Sequence, residues 1–74
     1  MADKAKYWIG DAPAVCDLRR EHKITDTFID GNTVYGSWAN MCPACHRQYG
    51  RGLGTGAGQS YTKQTDGRWL KVAG

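Results

Sequence analysis

The sequence predicts a small α+β fold in which two β-hairpins and one short helix are held together by a metal ion. Three observations lead to this prediction: the pair Cys42 and Cys45, the distant third cysteine Cys16, and two strand–turn–strand patterns. The chain has 74 residues, and we expect a single domain over residues 1–74. Domains of this length commonly need a metal, disulfides or a partner for their stability.

The composition narrows the class of protein. Residues 1–10 contain no apolar stretch of the kind found in export signals, so we expect a cytoplasmic protein with reduced thiols. Three cysteines are an odd number, which argues against a closed disulfide framework. The mean hydropathy of −0.61 and the lack of a long apolar run argue against a membrane span. We expect a monomer.

A first hairpin is predicted between Cys16 and the cysteine pair. β-Branched and aromatic residues at 27–29 and 33–38 favour strands. Between them, the Asp-Gly-Asn sequence at 30–32 predicts the turn, because a glycine after aspartate supplies the positive φ of a tight turn. Before this hairpin, residues 1–13 are expected to form a flexible N-terminal arm, and residues 15–23 are expected to hold a helical turn.

A short helix is predicted to follow the cysteine pair, over residues 44–49. Pro43 suits its first position, where a missing N–H costs no hydrogen bond, and Gly50 suits its end. Residues 50–59 then carry glycine at every second position. We expect a loop there, which is either a flexible linker or a bare backbone that another chain or a phosphate approaches closely.

A second hairpin is predicted near the C-terminal end. Strands at 60–64 and 68–72 flank the turn sequence Thr-Asp-Gly at 65–67. Alternation along the second strand directs the side chain of Trp69 to the side opposite Arg68. We therefore expect the Trp69 ring to face the core.

The order of these elements is that of the ligands in a treble-clef or zinc-ribbon site. In such sites a first knuckle, a hairpin and a Cys-x-x-Cys at the start of a helix follow one another along the chain. We expect one zinc ion bound by Cys16, Cys42, Cys45 and His22. His46 is the alternative fourth ligand, but it directly follows Cys45, and consecutive helical residues point about 100° apart.

Of two other interpretations of the cysteines, the first stays open and the second is disfavoured. In one, the thiols are buried as small apolar groups without a metal. In the other, residues 42–46 attach a c-type haem, because they match the motif C-x-x-C-H. The haem interpretation has only His22 as a distal ligand and lacks an export signal. We see no pattern of catalytic residues with credible spacing and expect no enzyme.

Positive charge is concentrated in the second part of the chain. Residues 1–46 hold five Lys or Arg against six Asp or Glu, whereas residues 47–74 hold five against one. Such a segment suits binding to phosphate or to an acidic protein surface. The candidate nucleic-acid contacts are Arg47, Arg51, Lys63, Arg68 and Lys71, with Tyr61 and Trp69 as stacking platforms.

A longer pattern carries a family resemblance. It comprises Phe28-Ile29-Asp30-Gly31, Thr33, Gly36, Trp38-Ala39, Met41-Cys42, Cys45-His46, Gly50, Gly52-Leu53-Gly54-Thr55-Gly56, Gly58-Gln59 and Tyr61. Over roughly residues 14–72, the chain resembles small zinc-ribbon-like proteins encoded by tailed bacteriophages. It departs from their pattern at Arg19, where many of them have the second cysteine of the first knuckle.

The resemblance implies a role in takeover of the bacterial host. The chain is similar in kind to a small phage regulator that binds bacterial RNA polymerase. This implies a non-enzymatic protein that acts in the host cytoplasm and alters initiation or termination of transcription. The alternative is a zinc-ribbon-like nucleic-acid-binding module that uses the basic C-terminal segment. The candidate partner contacts are Tyr7, Trp8, Arg19, Arg20 and Tyr35, since aromatic and arginine side chains dominate interface energetics.

Overall fold

The computed structural model describes residues 5–74, which form one four-stranded antiparallel sheet and one short helix. The elements are β1 (Thr27–Asn32), β2 (Trp38–Met41), α1 (Pro43–Tyr49), β3 (Gly58–Lys63) and β4 (Trp69–Ala73). The strand order is β2-β1-β3-β4, so both hairpins join one sheet through their first strands. The predicted small α+β, zinc-ribbon-like fold is confirmed. Within the described range, no helix has the length and apolar character needed to cross a membrane.

The first hairpin is present, but the prediction of its turn at residues 30–32 is wrong. These residues end β1, an interior strand in which Gly31 pairs with Ala39 on one side and Gly58 on the other. A Cβ at Gly31 would lie 2.8 Å from the carbonyl oxygen of Ala57. The glycine therefore permits close approach of the glycine-rich loop and does not form a turn.

The turn between β1 and β2 lies at residues 33–37. Thr33 is fully buried there, and its hydroxyl donates to the carbonyl of Ser37 at 2.9 Å and accepts from the amide of Tyr35 at 3.3 Å. Gly36 supplies the positive φ, +89°. The hydroxyl of Thr33 thus stabilises this turn. The sequence does not indicate the turn, because threonine is a residue type that favours strands.

The second hairpin is confirmed, with strand bounds within two residues of those predicted. The amide of Gln64 donates to the carbonyl of Arg68 at 2.7 Å, and Gly67 has the positive φ, +88°. The hydrogen bonds of this turn join residues within it, so the local turn sequence specifies it.

The helical turn predicted over residues 15–23 is wrong. Residues 16–22, called here the first knuckle, form a loop closed by the Cys16 amide, which donates to the carbonyl of His22 at 2.9 Å. The loop is also fastened to the edge of β2. The amide of Asp17 donates to the carbonyl of Asn40, and the Asp17 carboxylate accepts from the Asn40 amide, each at 2.9 Å. These long-range hydrogen bonds satisfy the backbone in place of helical ones.

Part of the N-terminal arm lies along the outer side of β4. The amide of Trp8 donates to the carbonyl of Trp69 at 2.9 Å, and the amide of Lys71 donates to the carbonyl of Lys6 at 2.7 Å. Residues 1–4 of the predicted arm lie outside the described residues. The arm therefore extends the sheet edge over residues 6–8.

The core is centred on Phe28, which is fully buried. Its ring contacts those of Trp8, Tyr61 and Trp69 at centroid distances of 5.1, 5.2 and 5.1 Å. The predicted inward direction of Trp69 is thus confirmed. The other buried members of this core are Cys16, Ile24, Ala39, Met41, Cys42 and Cys45. The cysteines accordingly lie inside the protein, next to the aromatic cluster.

Candidate metal centre

Three thiols from two distant parts of the chain meet in the core. Cys16 comes from the first knuckle, and Cys42 and Cys45 come from the start of α1. Their sulfur atoms all lie within 4.8 Å of one another. The three residues are 0%, 7% and 2% exposed. This buried group is able to hold a metal ion.

The start of α1 places two of the thiols. Cys42 is the N-cap residue, and its sulfur accepts a hydrogen bond from the amide of Cys45 at 3.5 Å. Pro43 follows at the first helical position, as predicted. The cap brings the two sulfurs to the same side of the first turn, and we call this segment the second knuckle. The predicted helix over residues 44–49 is confirmed, and it ends at Gly50.

In the first knuckle, the sulfur of Cys16 also accepts hydrogen bonds from the backbone. Burial alone raises the pKa of the Cys16 thiol, but hydrogen bonds from the backbone of Cys42, Arg19 and Leu18 more than offset it, so the pKa is lowered. Arg19 stands three residues after Cys16, as Cys45 does after Cys42. Its side chain, however, donates to the hydroxyl of Tyr49 at 3.5 Å. The backbone of Arg19 therefore hydrogen-bonds to the Cys16 thiol, whereas its side chain bonds to Tyr49 at the surface.

The imidazole of His22 lies against the thiol cluster. Its Nδ1 is 3.4 Å from the sulfur of Cys42 and 3.8 Å from the sulfur of Cys45. In a tetrahedral site with Zn–S and Zn–N bonds of about 2.3 and 2.0–2.1 Å, sulfur and nitrogen ligands lie about 3.6 Å apart. The two observed distances fall on either side of this value. His22 thus lies next to two of the three thiols, whereas the group of donor atoms that all lie within 4.8 Å of one another comprises the cysteines alone.

His46 is turned away from the cluster. Its Nε2 lies 2.9 Å from the carbonyl oxygen of Gly52 and donates a hydrogen bond to it. Its ring also occupies the space that a side chain at Gly50 would need. His46 therefore anchors the glycine-rich loop to α1, and His22 is the histidine that accompanies the thiols.

The electrostatics of the cluster favour a bound cation. Burial, together with hydrogen bonds to the thiols of Cys42 and Cys16, raises the pKa of the Cys45 thiol to about 12. Three adjacent thiolates in the interior would repel one another and lack water. A divalent cation removes this cost, because it takes the place of the thiol protons and neutralises the sulfur charges.

The structure divides the predicted partner contacts between two surfaces. Arg19, Arg20 and Tyr35 are exposed and lie beside the first knuckle and the β1–β2 turn. Tyr7 and Trp8 lie at β4, the opposite edge of the sheet. Trp8 is half-buried, because its ring packs against Phe28 and Tyr61, which leaves less of it for a partner. The ring of Tyr7 lies under the guanidinium of Arg68, 4.1 Å from its centroid.

The predicted nucleic-acid contacts differ in exposure and in the bonds they already make within the protein. Arg47 and Lys63 are exposed, and Lys71 is half-buried on β4. Arg68 pairs with Asp66 at 2.8 Å, and the Arg51 guanidinium donates to the carbonyl of Thr33 at 3.1 Å.

The two predicted stacking platforms belong to the core. The ring of Tyr61 is stacked on that of Phe28, with 16° between their planes. The ring of Trp69 also contacts Phe28, as described above. Both rings already have an aromatic neighbour, which leaves less of their surface for a base.

Sequence reasoning missed a cleft beside the first knuckle. It is lined by Leu18, Arg19, Glu21, Tyr35 and Tyr49 and has a volume of about 270 Å³. Arg19 was predicted as a contact, but its pairing with Tyr49, 30 residues away, leaves no signal in the sequence. The sequence shows the two sides of the cleft only separately, as an aromatic residue at the end of the helix and as charged residues in the first knuckle.

Comparisons with protein-family models, with curated proteins and with solved structures found no match for this chain. The candidate centre is therefore defined only by the donor atoms that this chain supplies. It consists of three buried thiols, with an imidazole nitrogen beside two of them, and these groups come from two knuckles that the fold brings together.

Proposed function

We propose that this chain is a phage-encoded, non-enzymatic regulator that binds bacterial RNA polymerase in the host cytoplasm and is built around one structural zinc ion. The observation that carries the proposal is the buried group of Cys16, Cys42 and Cys45 with His22 beside it. A metal held there joins the first knuckle to α1 and so fixes the surfaces on both.

The donor set favours zinc over other metals. Three thiolates and one imidazole are soft and borderline ligands, which suit Zn²⁺ in tetrahedral geometry, whereas Mg²⁺ and Ca²⁺ require oxygen ligands. The spacing of His22 Nδ1 from two of the sulfurs agrees with such a tetrahedron. Native mass spectrometry is expected to show one zinc ion per chain, which a strong chelator removes.

The same coordination supports a structural role and not a catalytic one. Catalytic zinc sites keep one position open for water or substrate, whereas structural sites have four protein ligands. In the proposed site His22, which lies beside two of the buried sulfurs, would supply the fourth position. The function then resides on the surfaces that the zinc ion holds in place.

His22→Ala is expected to weaken metal binding strongly, whereas His46→Ala is expected to leave it nearly unchanged. Structural zinc binding is worth about 10–16 kcal/mol over four ligands, so one ligand accounts for about 3 kcal/mol, or about 100-fold in affinity. Competition with a coloured chelator measures the affinity. Co²⁺ substitution gives an independent signal, because the absorption bands depend on the ligand set. A His46→Ala variant that loses affinity more than His22→Ala would contradict the assignment.

A protein partner is favoured over a nucleic acid by the exposed side chains near the first knuckle. Arg19, Arg20 and Tyr35 are exposed together, and arginine and tyrosine are enriched where protein interfaces concentrate their energy. Arg19 bonds to the neutral hydroxyl of Tyr49, whereas in the basic segment the charge of Arg68 is paired with Asp66 and Arg51 donates to a backbone carbonyl. The identity of the partner as RNA polymerase is supported by the resemblance to small phage proteins stated above.

Recovery of RNA polymerase by the tagged, zinc-loaded protein tests this proposal. We expect the polymerase subunits to be recovered from nuclease-treated bacterial lysate and the purified polymerase to bind directly. A phosphate-binding protein loses affinity log-linearly as salt rises, whereas an interface with an apolar centre loses far less. If nuclease treatment abolishes recovery, or purified polymerase does not bind, the nucleic-acid-binding alternative replaces the proposal. If the polymerase does bind, transcription assays with the purified enzyme show whether initiation or termination changes.

A further inference from the structure

A small polar cleft lies at the junction of the first knuckle, the β1–β2 turn and the end of α1. One wall consists of Leu18, Arg19 and Glu21, and the other consists of Tyr35 and Tyr49. Its volume is about 270 Å³. This is just below the range of about 300–1,000 Å³ for pockets that hold whole small molecules. The cleft is therefore of a size for one side chain of a larger partner.

Both walls of the cleft are held by the metal centre. The first wall lies between Cys16 and His22, two of the four donors. Tyr49 ends the helix that begins after Cys42, and its carbonyl accepts a hydrogen bond from the amide of Val34 at 2.8 Å. This bond fixes the turn that carries Tyr35. The cleft is thus assembled by the fold from three separate segments.

Arg19 is the charged group of the cleft, and it has hydrogen-bonding capacity to spare. Its guanidinium donates to the hydroxyl of Tyr49 at 3.5 Å, which uses one of five N–H groups. The guanidinium fork matches a carboxylate, with which it forms paired hydrogen bonds. Arg20 is exposed next to it and adds positive charge. The basic side of the cleft is therefore complementary to an acidic group.

The two tyrosines give the cleft an aromatic side. The ring of Tyr35 is 68% exposed, and it lies 5.8 Å from that of Tyr49 with 30° between the ring planes. Such rings offer an apolar face and a hydroxyl group at little entropic cost. An apolar or aromatic side chain adjacent to a carboxylate would contact Tyr35 while the carboxylate meets Arg19.

We propose that this cleft binds an acidic segment of a partner protein, with Arg19 receiving a carboxylate and Tyr35 contacting the neighbouring side chain. Glu21 on the lining favours a peptide over a nucleic acid. A peptide offers backbone N–H groups that the Glu21 carboxylate would accept beside a carboxylate on Arg19, whereas a nucleic acid presents a phosphate at every nucleotide and no such backbone donors. The inference rests on the proposed protein-binding function and names its surface and the chemistry of its partner.

The experiment uses the zinc-loaded full chain, labelled with ¹⁵N, and a blocked peptide of alternating glutamate and tyrosine as the probe. The matched peptide has glutamine in place of every glutamate, and a single-stranded oligothymidylate serves as the nucleic-acid probe. We expect the glutamate peptide to shift the amide signals of residues 18–21, 35 and 49. The glutamine peptide should bind at least about tenfold more weakly, since hydrogen bonds to charged groups contribute most of the energy.

Arg19→Gln is expected to lower the affinity for the glutamate peptide by at least about tenfold. Lys23→Gln, the control, should change the affinity no more than about twofold, because Lys23 is exposed outside the cleft and contributes only screening-sensitive attraction. Tyr35→Ser provides a second variant at an exposed position. All three variants are first checked for one bound zinc ion per chain.

Several results would overturn the proposal. These are an absence of shifts at millimolar glutamate peptide, shifts confined to other surfaces, or equal effects of Arg19→Gln and Lys23→Gln. Tighter binding of oligothymidylate at the same residues would do so as well, and would assign the cleft to nucleic acid. The amide shifts measured on the unmodified chain locate the peptide even if a variant fails to fold. Because RNA polymerase is not used, failure here leaves the polymerase-recovery test intact, and failure of that test leaves the peptide result intact.

Discussion

Replacing Cys45 with serine is expected to remove the bound metal and, with it, the cooperative unfolding transition of the protein. Serine is nearly the same size as cysteine but does not provide the thiolate that zinc prefers, so the change removes a ligand with little loss of packing. Structural zinc contributes about 10–16 kcal/mol in small domains, which exceeds the roughly 4–11 kcal/mol total stability expected for a chain of this length. Native mass spectrometry and a thermal melt followed by circular dichroism measure the two effects.

Two controls separate ligand loss from other causes. Arg47→Ser lies on the exposed side of the same helix, and its melting curve should match that of the unmodified chain. Treatment of the unmodified chain with a strong chelator should produce the same uncooperative state as Cys45→Ser. If Cys45→Ser instead melts cooperatively within a few degrees of the unmodified chain, the cysteines are small apolar core residues and the metal centre is wrong.

Phe28→Ala is expected to produce the second large effect, because this ring joins the aromatic cluster to the cysteines. It is fully buried against three aromatic rings, and truncation of such a residue costs about 3–5 kcal/mol. At about 4–8 °C per kcal/mol for a domain of this size, the melting temperature should fall by roughly 12–40 °C. Denaturant titration of the zinc-loaded protein measures the change in the free energy of unfolding.

Tyr35→Ala is the matched control for this change. The same amount of aromatic surface is removed, but from a side chain that is 68% exposed, so the free energy of unfolding should change by no more than about 0.5 kcal/mol. Equal losses in the two variants would show that Phe28 is not the centre of the core. A Phe28→Ala protein that still binds one zinc ion would show that the metal centre forms without full aromatic packing.

Local signals predicted the elements whose structure depends on local bonds. Pro43 at the first helical position and Gly50 at the end predicted α1, and the structure adds Cys42 as its N-cap. The second hairpin follows its Asp-Gly turn, where Gly67 adopts the expected positive φ. In both cases the bonds that form the element lie inside the segment that predicts it.

The same turn signal failed at Asp30-Gly31. Its local preference for positive φ is overridden because β3 and the glycine-rich loop pack onto β1, and only glycine fits 2.8 Å from the carbonyl of Ala57. The first knuckle was misjudged for a related reason. Its backbone bonds go to Asn40 on β2, which no window of the sequence around residue 17 contains.

By itself, the sequence determined that this chain is a small α+β protein with three cysteines in the order of a two-knuckle metal site, because ligand type, spacing and helix caps are local properties. The sequence also favoured His22 over His46, because His46 directly follows Cys45. The tertiary structure decided how His22 meets the thiols, since the folded first knuckle brings its Nδ1 to 3.4 Å from the sulfur of Cys42. It also decided that Arg19, three residues after Cys16, meets Tyr49 and opens a cleft. Both outcomes depend on contacts between residues at least 20 positions apart.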